Sequence, residues 1–246
     1  MHTHNNLKLS LASLLTLSLI SHTALASDQK FGLHGNGEAG FSDNTGNTVS
    51  TNIYGALKLN YIQARHETKS LFELDYKSEN KVQTQERYLI DVQNNRFYND
   101  EHSYFSFVGG QLEKSRFEGI ELAATLSLGL GKSLLKNKNS ALTAEVGLGQ
   151  KHTNYTSSTE EDRQRTQAHL KLDYYNEINL QSTFTQDAKV TSSSSETTFE
   201  SNTGVKVKIA DQLNLKITYK LRHNDTPPQG VKKLDTATAL TLIYDF

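Results

Sequence analysis

Apolar and polar residues change places at every step over 120–131. Ile120, Leu122, Ala124, Leu126, Leu128 and Leu130 alternate with Glu121, Ala123, Thr125, Ser127, Gly129 and Gly131. Successive side chains of a strand face opposite sides, so six matches to a period of two predict a strand with one apolar face. The same rhythm recurs along the chain. An early segment sets Phe31, Leu33, Ala39 and Phe41 against His34, Asn36 and Glu38. The second sets Val49, Ile53, Leu57, Leu59 and Tyr61 against Asn52, Lys58 and Asn60. The third pairs Phe72, Leu74 and Tyr76 with Glu73, Asp75 and Lys77, and the fourth pairs Tyr88, Ile90 and Val92 with Asp91 and Gln93. The fifth, over 103–112, has the weakest pattern and is read with Phe105 and Phe107 outward.

Beyond the sixth segment, Leu142, Ala144, Val146 and Leu148 mark a seventh, and Ala168, Leu170, Leu172 and Tyr174 an eighth. Ile178, Leu180 and Phe184 mark a ninth, and Val205, Val207 and Ile209 a tenth. Leu213, Leu215, Ile217, Tyr219 and Leu221 mark an eleventh, and Leu240, Leu242, Tyr244 and Phe246 a twelfth. An even number of alternating segments with polar opposite faces predicts an all-β fold, a transmembrane antiparallel barrel of about twelve strands. Connections after even segments read as tight turns. Those after odd ones read as mostly longer, notably Lys151 to Arg163, the Ser-rich Val190 to Glu196, and His223 to Leu234. That parity is expected of a barrel with both termini on one side. Tyr61, Tyr76, Phe97, Tyr98, Tyr174, Tyr175, Tyr219 and Tyr244 lie near segment ends, where aromatic girdles would sit.

Composition changes this picture little. A mean hydropathy of −0.58 excludes a helical membrane protein. It does not exclude a barrel, in which only alternate residues touch lipid. The two prolines, Pro227 and Pro228, fall in a loop, as a hydrogen-bonded sheet requires. There is no cysteine, which removes disulfides and thiolate metal sites. Residues 1–26 read as a cleavable export signal: Lys8, an apolar stretch from Leu9 to Ile20, then Ala24-Leu-Ala26. The barrel domain is therefore expected over 27–246. Of 26 basic residues Lys8 lies in the leader, leaving 25 against 27 acidic ones. Such a balance gives no reason to expect nucleic acid as a partner.

The candidate chemistry lies on the inward faces. Glu73, Asp75, Asp91, Glu121 and Glu145 form an acidic excess on segments three to seven. Lys206, Lys208, Lys216, Lys220 and Arg222 form a basic ladder on segments ten and eleven. On opposite walls they would set a transverse field and act as selectivity groups for ions or small solutes. Paired across the interior, they would instead plug it. Gly129, Gly131, Gly147 and Gly149 face inward with no helix after them. They are read as sites of strand curvature or of a bulky neighbour folding over. Gly46-Asn47-Thr48 reads as turn chemistry. No catalytic residue, metal ligand set or cofactor is expected. The one Ser–His arrangement to weigh is His152 with Ser157 or Ser158, and no sequence context supports it.

Several stretches are similar to one family. Glu38-Ala-Gly-Phe-Ser-Asp-Asn-Thr-Gly46-Asn47-Thr48, Arg116-Phe-Glu-Gly-Ile120, Ser127-Leu-Gly129-Leu-Gly131-Lys132, Glu145-Val-Gly147-Leu-Gly149, and Asp235-Thr236 with Leu242-Ile-Tyr244-Asp-Phe246 carry the likeness. Together they resemble the salt-induced (YdiY-like) outer-membrane protein family, a group of uncharacterised barrels. Leu and Lys132 stand where some of that group's aromatics are expected. The resemblance implies an outer-membrane location and supplies no catalytic residues. The expectation is thus a monomeric barrel acting as a narrow passive channel. The alternative is a closed structural or stress-response barrel whose outer loops meet partners. Lipid, lipopolysaccharide and the barrel-assembly machinery are the expected partners, the last through Leu242, Tyr244 and Phe246.

Overall fold

The computed structural model describes residues 31–44, 50–99, 101–116, 119–156, 162–227 and 233–246, with backbone alone for 42–44. The leader read at 1–26 and the Gly46-Asn47-Thr48 turn lie outside the described residues. Alternation becomes strand as expected: β1 (Gly32–Asn44), β2 (Ser50–Ile62), β3 (His66–Glu79) and β4 (Val82–Phe97) come first. Then follow β5 (Tyr104–Ser115), β6 (Ile120–Lys136), β7 (Ser140–Tyr155) and β8 (Arg163–Glu177). The chain ends with β9 (Ser182–Ser193), β10 (Thr197–Lys208), β11 (Leu213–Asn224) and β12 (Leu234–Asp245). Each strand pairs antiparallel with its sequence neighbours, and β12 returns to β1, closing the barrel.

Closure leaves one face outside and one inside. Leu126, Leu128 and Leu130 are 71%, 65% and 63% exposed on the outer face. Val108, Val146, Leu148, Leu170, Ile217 and Leu240 continue the belt around the ring. Water would not tolerate so continuous an apolar surface, but a bilayer solvates it. The strands hold 12 to 17 residues, which exceeds the ~9–11 a tilted strand needs to span hydrocarbon. The protein is a transmembrane β-barrel.

Four local readings are corrected. Phe105 and Phe107 point inward, 3% and 4% exposed, and Tyr104, Val108 and Leu112 take the outer face of β5. Two apolar phenylalanines outweighed the true outer set in the sequence pattern. Glu121 leaves the inner face because the pairing of Ile120 with Tyr155 and Leu122 with Asn154 skips it. This bulge exposes Glu121 and turns Ile120 inward. Ile178 and Leu180 belong to a turn, and β9 starts at Ser182 and runs through Val190. The stretch read as a Ser-rich loop therefore shrinks to 194–196.

Turn parity is weaker than expected as well. The odd connections at 156–162 and 225–233 are the longest, but the β3–β4 turn is only Asn80-Lys81. Both residues have positive φ, 50° and 64°, the twist that a two-residue hairpin favours. Tyr61, Tyr98, Tyr219 and Tyr244 lie on the outer face, whereas Phe97 and Tyr175 turn to the lumen side.

Putting charge on the outer belt should be costly in a depth-dependent way. Leu128→Arg is expected to lose about 2–4 kcal/mol in guanidinium unfolding from liposomes. Thr185→Arg, on the inner face, should lose less than about 1 kcal/mol in the same measurement.

Candidate functional site in the barrel lumen

Two sectors of the inner wall are packed. On β4 to β7, Phe97, Phe105 and Phe107 form a buried cluster. Phe97 stacks on His102 at 4.2 Å between centroids and meets Phe105 at 5.3 Å. Phe107 meets His169 at 5.7 Å. The inward glycines make room for these rings. A Cβ at Gly131 would overlap the Phe105 ring, and one at Gly129 would lie 2.6 Å from the tip of Phe107. At Gly147 a Cβ would lie 2.6 Å from His169 Cε1 and 2.8 Å from Phe107. Of the two roles weighed for these glycines, space for a bulky neighbour holds at all three. Asn95 is fully buried beside this cluster, with its Oδ1 accepting from Gln93 Nε2 and its amide donating to Glu67. Gln93 Nε2 also donates to buried Glu145, at 3.1 Å.

The second packed sector is ionic and joins β10, β11, β12, β1 and β2 to β3 to β5. Glu38 accepts from Lys58 Nζ at 2.6 Å and has Lys216 Nζ at 3.7 Å. Arg87 bridges two carboxylates, Glu73 at 2.7 Å and Glu113 at 2.6 Å. Tyr54 donates its hydroxyl to Glu73, at 2.9 Å. Lys220 reaches the same carboxylate at 3.8 Å and lies 4.1 Å over the Tyr54 ring. Arg222 pairs with Glu200 at 3.5 Å, and Lys206 with Asp245 at 3.2 Å.

The acidic and basic residues are therefore not separate walls with a field between them. Glu73 and Lys220 meet across the interior, and Asp75 lies within electrostatic reach of Lys220. Glu38, Lys58, Arg87 and Glu113, which complete the network, were not singled out from sequence. Glu38 with Lys58, and Arg87 with Glu73 and Glu113, pair between consecutive strands, whereas Lys216 and Lys220 reach Glu38 and Glu73 from β11, which no local spacing reveals. Lys208 sits at the rim beside Asp211, at 3.6 Å, and Glu121 is on the exposed bulge.

The third sector is wet. No residue of β9 is buried, and on β10 only Gly204 is. Here the ladder sets Lys171 directly opposite Lys189, and on the next inward rung Asp173 opposite Asp187. Like charges face to face on a sheet are destabilising. Neighbours offset part of this: Lys171 contacts Asp173 at 2.9 Å, and Asn202 donates to Asp187 at 2.7 Å. From β4, Asp91 comes within electrostatic reach of both lysines. Asp187 and Lys189 escaped notice because the outer set that frames them, Phe184, Gln186, Ala188 and Val190, is interrupted by polar Gln186 and holds only a small Ala beside it. Knowing the inward phase from Thr183 and Thr185 would have found them.

His152 faces outward, opposite Ala124 and Gln164, away from the lumen. Ser157 and Ser158 lie outside the described residues. Among the described residues no three His, Asp or Glu side chains gather as a metal site.

The chain belongs to the DUF481 family of proteins of unknown function, whose model matches residues 37–246. No curated protein sequence matches it. Among solved structures it is similar to the NanC porin, with 11% identity and a TM-score of 0.52 over 87% of this chain and 98% of that one. It is also similar to the COG4313 outer membrane channel from Pseudomonas putida F1, with 10% identity and a TM-score of 0.56 over 91% and 100% of the two chains. At such identities the likeness is one of fold.

Arg87 compensates two close carboxylates, Glu113 and Glu73, the second of which also has Lys220 in salt-bridge range at 3.8 Å. Arg87→Leu is expected to lower unfolding stability by about 3–5 kcal/mol. Adding Glu73→Gln and Glu113→Gln should recover most of that loss, a non-additivity read by comparing the triple variant with the three single ones.

Proposed function

We propose that this protein is an outer-membrane channel for passive diffusion of small polar solutes, with its water path along β8 to β10. The observation that carries the reading is the pair of like-charged rungs, Lys171 with Lys189 above Asp173 with Asp187, where β8 meets β9, a strand with no buried residue. A structural role gives no reason to oppose like charges. A permeation path does, because a solute bearing both signs finds a complementary charge at each step while binding weakly enough to leave. The paired groups Lys206, Lys216, Lys220, Arg222 and Glu73, together with Asp75, Asp91 and Glu145, then shape the constriction, with Lys208 at its rim. Export through the 1–26 leader, insertion guided by Leu242, Tyr244 and Phe246, and residence in the outer membrane as a monomer belong to the same proposal. So does contact with lipopolysaccharide. The salt-induced label of the group it resembles fits an envelope stress role and adds no chemistry.

One observation favours a second reading, a closed barrel acting through its outer loops: Lys220 and Glu73 pair across the interior. Planar-bilayer recording of refolded protein separates the two. The channel reading expects stepwise currents, and Lys171→Gln with Lys189→Gln shifting permeability severalfold towards cations. Lys208→Gln, at the rim, should shift it less. Silent bilayers under all conditions would select the closed barrel.

A further inference from the structure

The seam that closes the barrel is paired over only part of its length. β1 and β12 are in register from Asn36 with Asp245 to Ala39 with Leu242, and the ladder ends there. Yet β1 runs on to Asn44 and is paired with β2 throughout, while β12 begins at Leu234 and is paired with β11 from that residue. Gly40 still abuts β12, since a Cβ there would lie 3.0 Å from the Leu240 carbonyl oxygen. Beyond it the two strands part. The parting begins at the edge of the apolar belt, where Leu240 stands beside Ile217, and continues past Thr238 and Tyr219. Unpaired backbone at membrane depth is tolerated only where it is buried in protein or lines a water-filled cavity.

Three further features converge on this place. The β12 side of the gap is small: Ala237 and Ala239 line it, and Ala237 is exposed although it belongs to the inner face. Thr241, just below, is 2% exposed, and its Oγ1 finds no hydrogen-bond partner among the described residues. Directly behind, in register with Ala237, stands Lys220. Its 3.8 Å contact with Glu73 is loose enough to exchange for another anion.

We propose that the β1–β12 seam is a lateral portal between the lumen and the lipid. Its ligand is a single-chain amphiphile with an anionic headgroup, which rests on Lys220 while the acyl chain lies through the gap between Phe41 and Leu240. The portal goes beyond passive aqueous diffusion and uses a different wall.

The chain has no cysteine, so introduced pairs act alone. Oxidised Phe41→Cys with Leu240→Cys staples the seam. Leu128→Cys with Leu148→Cys, directly opposed on β6 and β7, is the control staple. Protein refolded into liposomes is photolysed with a diazirine-bearing lysophosphatidylglycerol, and adducts are mapped by mass spectrometry. Adducts are expected on Tyr54, Ala237 and Ala239, falling at least tenfold with the seam staple and unchanged with the control. Adducts on Leu126, Leu128 and Leu130 serve as the lipid-face reference in the unstapled and seam-stapled proteins. Without any staple, Lys220→Gln should lower the lumen adducts severalfold for this probe and leave those of a zwitterionic lysophosphatidylcholine analogue unchanged. Lumen adducts that are absent from the unstapled protein, or that resist the seam staple, would overturn the portal. Insensitivity to Lys220→Gln would overturn the headgroup assignment. Silent bilayers would remove the aqueous channel and leave this result standing.

Discussion

An amide or carbonyl without a partner in hydrocarbon costs several kilocalories per mole, so a sheet placed in a bilayer must return to its own first strand. Most other features of this barrel are consequences of that return. Closure fixes which face is lipid and which is lumen, and therefore imposes a period of two on every strand. It confines both prolines to the β11–β12 connection, outside the ladders. It also makes the Ile120–Leu122 bulge consequential, because one extra residue moves a carboxylate from the inner wall to the outside. Where the constraint is relaxed, at the upper part of the β1–β12 seam, small residues and an orphaned hydroxyl collect.

A ring of twelve strands encloses more space than its own side chains fill by default. The chain fills it unevenly. The β5 rings Phe105 and Phe107 lie over Gly129, Gly131 and Gly147 on β6 and β7, a fit in which each of these glycines makes room for the aromatic over it. The ionic sector is packed through ion pairs in place of apolar contacts. At 2.6–2.7 Å, Arg87 makes charge-assisted bonds to two carboxylates, the arrangement for which a guanidinium fork is suited. Lys216 and Lys220 pair at longer range and remain in contact with water.

Strand number, outer faces and the closing residues were legible because lipid exposure writes the strongest alternation a sequence carries. Leu126, Leu128 and Leu130 could hardly be read otherwise. The same signal failed on β5, where the lumen is apolar too and Phe105 and Phe107 imitate an outer face. It failed again on β9, where the outer face includes Gln186. Gln186 donates to Ser201 at 2.8 Å and accepts from Thr203 at 2.5 Å, so its polarity is satisfied within the sheet and leaves no mark in the hydropathy. The ion pairs were illegible for a different reason. Glu38 and Lys216, or Glu73 and Lys220, are brought together only by the closed ring, and no sequence spacing encodes curvature.

The paired charges and the wet wall support each other. A long lysine free in a narrow lumen samples many rotamers and sweeps the path. One anchored to a carboxylate gives up that freedom, at up to ~2 kcal/mol of side-chain entropy, and stays against its wall. Pairing Lys58 and Lys216 with Glu38, and Arg87 with Glu73 and Glu113, clears the space that β8 to β10 then line. The unlike case is the Lys171 and Lys189 rung. There Lys171 closes onto Asp173 at 2.9 Å, while Lys189 has Asp91 within electrostatic reach and no salt bridge among the described residues, so its charge remains available to whatever enters.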